Sequence, residues 1–258
     1  MTGVLEALGL GALQGVTEWL PISSSGHLAL VQTLFSIDVP VAFDAVLHVA
    51  TLLVILGFFR NDLWKIIRSW ARRDIRSPHS RLGLFVLIGT VPTALIGLLL
   101  EPVIVAAFTS LTVVGIGFLI TTLFLVASKR PLGTGKVSAK LALLVGTIQG
   151  LAIFPGISRS GSTITTALFG KVSPQEAARF SFLLFIPASV GAMLLQADDL
   201  LASTLGLDIL LAGSLAAIVV GYLSLKLLFL VVDRNRLWYF APYTLIVGLV
   251  ALLGGLYA

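Results

Sequence analysis

No cysteine occurs among the 258 residues, which excludes disulfides, thiolate metal sites and cysteine nucleophiles while leaving the redox compartment open. Charge is nearly as scarce. Only 11% of the residues are Asp, Glu, Lys or Arg, against roughly a quarter in soluble domains, and there are just three histidines. Apolar side chains take their place, making up 57% of the chain at a mean hydropathy of +1.05. An all-α integral membrane protein is expected, its length counted in spans of about 20 residues. Residues 1–13 are apolar but carry no basic stretch ahead of them, and a polar cluster follows at once, so they do not read as a cleaved signal peptide.

A net charge of +5 would suit a nucleic-acid partner, but the placement of the charges argues against one. Seven of the 17 Lys and Arg lie between Arg60 and Arg81, and four more between Lys129 and Lys140. Basic clusters that flank apolar stretches mark cytoplasmic loops.

The apolar pattern gives spans over 41–59, 83–100 and 106–127, with an outer turn at Glu101-Pro102, and then over 176–195, 207–232 and 239–257. Two further stretches are apolar but interrupted. Residues 1–37 break at Pro21 and the serine run behind it, and residues 138–170 break at Pro155-Gly156. Each reads as a re-entrant helix pair, because irregular backbone at membrane depth survives only against protein or a watery cavity. Residues 1–132 and 133–258 are thus expected to be two repeats within one membrane domain, each a re-entrant pair plus three spans. Three is odd, so the second repeat is inverted relative to the first. No Lys or Arg falls in any segment assigned outside, including the turn at Asp198-Asp199, and both termini are expected there.

The breaks carry the chemistry. Gln14-Gly-Val-Thr-Glu-Trp-Leu-Pro-Ile-Ser-Ser-Ser-Gly-His27 recurs 135 residues later as Gln149-Gly-Leu-Ala-Ile-Phe-Pro-Gly-Ile-Ser-Arg-Ser-Gly-Ser162, with six of fourteen places identical. Ser23 to Gly26 and Ser158 to Gly161 are each expected to precede a half-helix, so that two positive helix ends converge on one anion. Gln14 and Glu18 share a helix face. Glu18 and His27 suit a base and an acid, Ser24 or His27 a nucleophile, and Arg159 a fork for two phosphate oxygens. The blander accounts are a packing hydrogen bond for Glu18, snorkelling for Arg159, and helix caps for Ser23, Ser24, Ser25, Ser158, Ser160 and Ser162. His48 reads as a packing histidine with Asp44 as its partner, and Lys226 as a snorkelling lysine.

At these motifs the chain resembles the undecaprenyl-diphosphate phosphatases, also called bacitracin-resistance proteins. The resemblance covers nearly the whole sequence and rests on Gln14 to His27 and on Pro155-Gly-Ile-Ser-Arg-Ser-Gly-Ser-Thr163, supported by Phe43-Asp-Ala-Val-Leu and Phe180-Ser-Phe-Leu-Leu. It implies removal of the terminal phosphate from a C55 prenyl diphosphate in the cell membrane, for cell-wall synthesis, at a site open to the outer face and aided by Mg²⁺ or Ca²⁺. Carried over by position, Gln14 and Glu18 take the two acidic places and would hold the metal, Ser24 and His27 the hydroxyl and imidazole, and Ser158 and Arg159 the phosphate-binding pair. Ser23, Ser25, Gly26, Gly156, Ser160, Gly161 and Thr163 would surround the substrate. Gln14 departs from the pattern because an amide cannot ionise, although its oxygen can still ligate a hard cation. The expected partners are the polyprenyl diphosphate and the bilayer, with no nucleic acid and with a homodimer as a further candidate. A transporter or flippase of a lipid phosphate is the rival, since broken helices in inverted repeats are also a carrier architecture.

Overall fold

The computed structural model describes residues 3–35, 37, 40–129, 133–197 and 205–257, and apart from one isolated bridge between Gly135 and Val172 these form helices and their connections. Asp198-Asp199 and Arg130 lie outside the described residues. The first half runs α1 (Val4–Trp19), α2 (Ser24–Leu34), α3 (Val41–Phe58), α4 (Arg60–Ala71), α5 (Pro78–Leu99), α6 (Glu101–Phe108) and α7 (Leu111–Ala127). The second runs α8 (Ala139–Leu151), α9 (Arg159–Phe169), α10 (Pro174–Leu195), α11 (Leu207–Asp233), a 3-10 turn (Leu237–Phe240) and α12 (Ala241–Tyr257).

The outside of this bundle is apolar and much of its inside is polar. Leu87, Leu95 and Leu98 of α5, Leu215 and Leu223 of α11 and Leu253 of α12 are exposed, whereas Glu18, His27 and the hydroxyls of α9 are buried. That inversion of the soluble pattern is the signature of a membrane protein, where lipid meets the apolar exterior and ionisable groups turn inward. Among the described residues four helices are long and apolar enough to cross a bilayer: α5, α10, α11 and the 3-10 turn continued into α12. Two bent pairs, α3 with α4 at 70° and α6 with α7 at 102°, bring the number to as many as six.

Local sequence explains where the boundaries depart from expectation. The basic loop is largely helical. Over α4 it turns Trp64, Ile67 and Trp70 outward beside Lys65 and Arg68, an amphipathic face suited to the membrane interface. Arg179 of α10 pairs with both Asp62 of α4 and Glu176 and so ties that helix to the bundle. The span behind it starts at Pro78, with Ser77 accepting from the Ser80 amide as its cap, rather than at Gly83. Glu101-Pro102 is not a turn but the first turn of α6, because proline suits that position and the carboxylate favours a helix N-terminus. The chain bends after it, and Ser110 caps α7, so this span begins at Leu111 rather than Ala106.

The helix pairings follow the 135-residue offset. α1 packs chiefly on α11 and its counterpart α8 on α5, while α7 and α12 pack on each other. The contacts are close because glycine permits them. A Cβ on Gly11 would fall 2.1 Å from the Gly213 oxygen, and one on Gly146, exactly one offset later, 2.0 Å from the Gly89 oxygen. The connections between α1 and α2 and between α8 and α9 meet in the middle of this arrangement.

Candidate active site

The two breaks touch directly. The Ser160 hydroxyl donates to the Leu20 carbonyl at 3.3 Å, and a Cβ on Gly26 would come within 2.9 Å of the Gly156 Cα. Gly156 itself has φ of +87° and lies where a Cβ would strike the Val114 oxygen at 2.1 Å, so only glycine fits. Thr121 of α7 fastens this tip, donating to the Gly156 carbonyl at 2.8 Å and accepting from the Ser158 amide at 2.7 Å.

Helix starts differ by several residues from the sequence reading. Ser23 and Ser158 are N-caps, accepting from the Gly26 amide at 3.3 Å and the Gly161 amide at 3.1 Å. Ser24, Ser25, Gly26 and His27 belong to the first turn of α2, and Arg159, Ser160 and Gly161 to that of α9; they do not precede the helices. A Ser-X-Ser-Gly run begins a helix as soon as its first hydroxyl caps the third residue after it.

At the junction, Glu18 gathers partners from four helices. Its Oε1 accepts from Arg159 Nη2 at 2.8 Å, and its Oε2 accepts from the Ser24 hydroxyl at 2.5 Å and from Gln14 Nε2 at 3.1 Å. His48 Nε2 of α3 stands 3.9 Å from the same oxygen. The ion pair is buried, with Glu18 and Arg159 side chains 6% and 13% exposed. Arg159 rests on the Phe185 ring at 3.7 Å, and its Nη1 has no partner. It therefore keeps one donor free for an incoming anion.

His27 is drawn elsewhere. Its Nδ1 donates to the Ser23 carbonyl and its Nε2 accepts from the Tyr243 hydroxyl, both at 2.7 Å, so neither nitrogen is bonded to Glu18 or Ser24. Thr163 donates to the Arg159 carbonyl at 2.6 Å and shares a hydrogen bond with Ser181, which fixes the first turn of α9. Ser25 lies 3.4 Å from Ser23 and Ser160 3.3 Å from Ser158, each across a hydroxyl pair. Gln149, the counterpart of Gln14, bonds to Leu184 and Thr93 instead of joining the cluster.

Asp44 is the partner of His48, as expected, but through its backbone rather than its carboxylate, and His48 does more than pack. His48 Nδ1 donates to the Asp44 backbone carbonyl at 2.8 Å, while the Asp44 carboxylate accepts from Gln32. Its other edge faces Glu18, so it borders the cluster rather than packing. Lys226 lies over the Tyr222 ring at 4.4 Å. Tyr243 and Thr121 were missed because each acts on a motif more than 30 residues away along the chain, as the separations of 216 and 37 residues show. Only an isolated polar group inside an apolar span could have hinted at them.

No group of three or more His, Asp or Glu side chains suited to a metal is present among the described residues. Gln14 Oε1 is buried and without a partner one helical turn from Glu18 on α1, although it is the Nε2 end of that amide that meets the carboxylate. With the amide turned over, Oε1 and the carboxylate would suit a hard divalent cation that draws its remaining ligands from water and substrate.

The chain matches the family described as "Bacitracin resistance protein BacA" over residues 7–250. It is 40% identical to the undecaprenyl-diphosphatase of Methanosphaera stadtmanae, covering 98% of each chain. It is 41% identical to that of Korarchaeum cryptofilum, over 96% of this chain and 98% of the other. With the undecaprenyl-diphosphatase of Desulfosudis oleivorans it shares 45% identity over 96% and 97%.

Proposed function

The chain belongs to the bacitracin resistance protein BacA family, and from that membership we propose that it hydrolyses undecaprenyl diphosphate to undecaprenyl phosphate and inorganic phosphate. The observation that carries this reading is the 2.5 Å hydrogen bond from the Ser24 hydroxyl to Glu18, beside Arg159. A carrier needs an anion site but no nucleophile poised against a base.

Ser24 attacks the terminal phosphorus and passes its proton to Glu18, so that an Oγ–P bond forms as the anhydride P–O bond breaks and undecaprenyl phosphate leaves. Water then attacks the phosphorus of the phosphoserine, the Oγ–P bond breaks, and Glu18 returns its proton to Ser24 Oγ as inorganic phosphate leaves. Ser24 is favoured over His27 as nucleophile because both His27 nitrogens are engaged. Arg159 binds the transferring phosphoryl group first through its unpartnered Nη1, and the amides at the starts of α2 and α9 add donors for negative charge. Gln14 Oε1 and the Glu18 carboxylate would hold a divalent cation, Mg²⁺ or Ca²⁺. When bound it would supply charge neutralisation on the diphosphate.

The shared helix pairings of the two halves support an inverted repeat, with α1–α2 and α8–α9 as re-entrant pairs. At 16 and 13 residues, α1 and α8 are shorter than the roughly 20 residues a span requires. His48 beside Glu18, and the Asp44 and Gln32 side chains bonded to each other next to it, are partly exposed and sit on α2 and the first half of α3, while basic α4 follows the opposite end of α3. This supports a site open to the outer face, with both termini outside.

Purified protein should release phosphate from C55 prenyl diphosphate and lose that activity with chelator. Lipid exchange between liposome leaflets with no phosphate released, under any divalent cation, would replace the phosphatase with a flippase.

A further inference from the structure

Tyr243 is a polar group at the site that the proposed reaction leaves unused. It lies on α12, 216 residues from His27, yet its hydroxyl is within 2.7 Å of His27 Nε2. The side chain belongs to a residue that is 45% exposed, so the hydroxyl could turn outward, but in the fold it is committed to a histidine that is only 6% exposed.

The His27 ring is held on three sides. Nδ1 meets the Ser23 carbonyl at 2.7 Å, the edge of Phe118 packs at 5.1 Å between ring centroids, and the Tyr243 ring lies within 2° of the imidazole plane. Ser23 has φ of +68°, a left-handed conformation costly for a residue with a side chain, and it is this residue whose carbonyl meets the ring. A carbonyl only accepts, so Nδ1 must carry hydrogen. In the neutral ring Nε2 is then the lone pair, and the Tyr243 hydroxyl is its donor. His27 sits three residues after Ser24 on α2, so the orientation of its ring decides which nitrogen lies near the nucleophile's turn.

We propose that Tyr243 is a positioning residue of the phosphatase: it fixes the His27 ring in the Nδ1–H tautomer, so that the second half of the chain completes a site whose nucleophile and base lie in the first. The inference rests on the phosphatase reading, but the contact itself has a readout independent of turnover. With three histidines, protein labelled with ¹⁵N-histidine gives few ring signals, and His27→Gln identifies those of His27.

In the wild type the His27 Nε2 signal should be that of an unprotonated, hydrogen-bonded nitrogen. In Tyr243→Phe it should shift while the signals of His48 and His79 stay in place. In the same preparation, kcat for phosphate release should fall about 10- to 100-fold with KM changed by no more than about twofold, the pattern expected when the helix turn that carries both His27 and the nucleophile Ser24 is misaligned. An Nε2–H tautomer in the wild type, an unmoved His27 signal in the variant, or a kcat within about twofold of wild type would each overturn the proposal. Absence of phosphate release by the wild type would instead count against the phosphatase, and the ¹⁵N spectra would still decide whether Tyr243 orients His27.

Discussion

Glu18 sets the terms at the scale of single residues, because one carboxylate is shared among an arginine, a serine hydroxyl and an amide. Glu18→Gln should cut kcat by roughly 10²-fold or more, the range for a positioned acid or base, as measured by phosphate release. Removing one member of a buried ion pair strands the other, so Glu18→Ala and Arg159→Ala should each be strongly destabilising. The double variant should be less destabilised than the sum, with a coupling of roughly 1–3 kcal/mol in a thermal or denaturant cycle. Additive losses would mean that the pair does not act as a unit. Arg159→Lys keeps the charge but loses the planar fork that spans Glu18 and a phosphate oxygen; it should bind the lipid diphosphate and release little phosphate. Gln14→Glu loses the amide that donates to Glu18 but gains a second carboxylate. It should keep or raise activity while responding more steeply to added Mg²⁺ or Ca²⁺ in a metal titration. These residues were legible as a set of chemical types, since an acid, hydroxyls, an imidazole and a guanidinium in apolar sequence stand out. Their pairing was not: Arg159 reads in the sequence as a fork for two phosphate oxygens, and in the fold it also pairs with Glu18.

Among the elements, α9 is unusual in being polar and wholly buried from Ser160 to Ala167. A helix tolerates this because hydroxyls along it donate to carbonyls one turn back, as Thr166 does to Ser162 and Thr163 to Arg159, while Thr165 Oγ1 is buried without a partner. Its approach depends on the tip at Gly156. Gly156→Ala would impose a side chain at positive φ, costing roughly 1–2 kcal/mol, and a clash with the Val114 carbonyl besides. Loss of phosphate release together with a lowered melting temperature is expected, and an active, fully stable variant would show that the tip can move without penalty. Elements that lie in lipid were visible through their apolar length. α4 and α6 were not, because an amphipathic helix in a basic loop and an eight-residue helix opened by Glu-Pro give no long hydrophobic run.

For the whole molecule the expected arrangement is a pair of inverted halves with both termini outside. Tags at each terminus should be labelled in intact cells; labelling only after permeabilisation would sink the inverted arrangement. The sequence by itself determined that this protein lives in a membrane, because 57% hydrophobic residues cannot be hidden in a soluble core of this length, and that its two polar motifs are related by a constant offset. It also held a signal that went unread: Gly11 and Gly146 obey the same offset as the motifs, and each brings α1 or α8 onto a span of the other half. Only the tertiary structure decided which polar groups meet. Helical periodicity fixes neighbours three or four residues apart, whereas the contacts of Glu18 with Arg159 and of His27 with Tyr243 arise where separate helices cross, at positions set by glycine-mediated packing rather than by any local pattern.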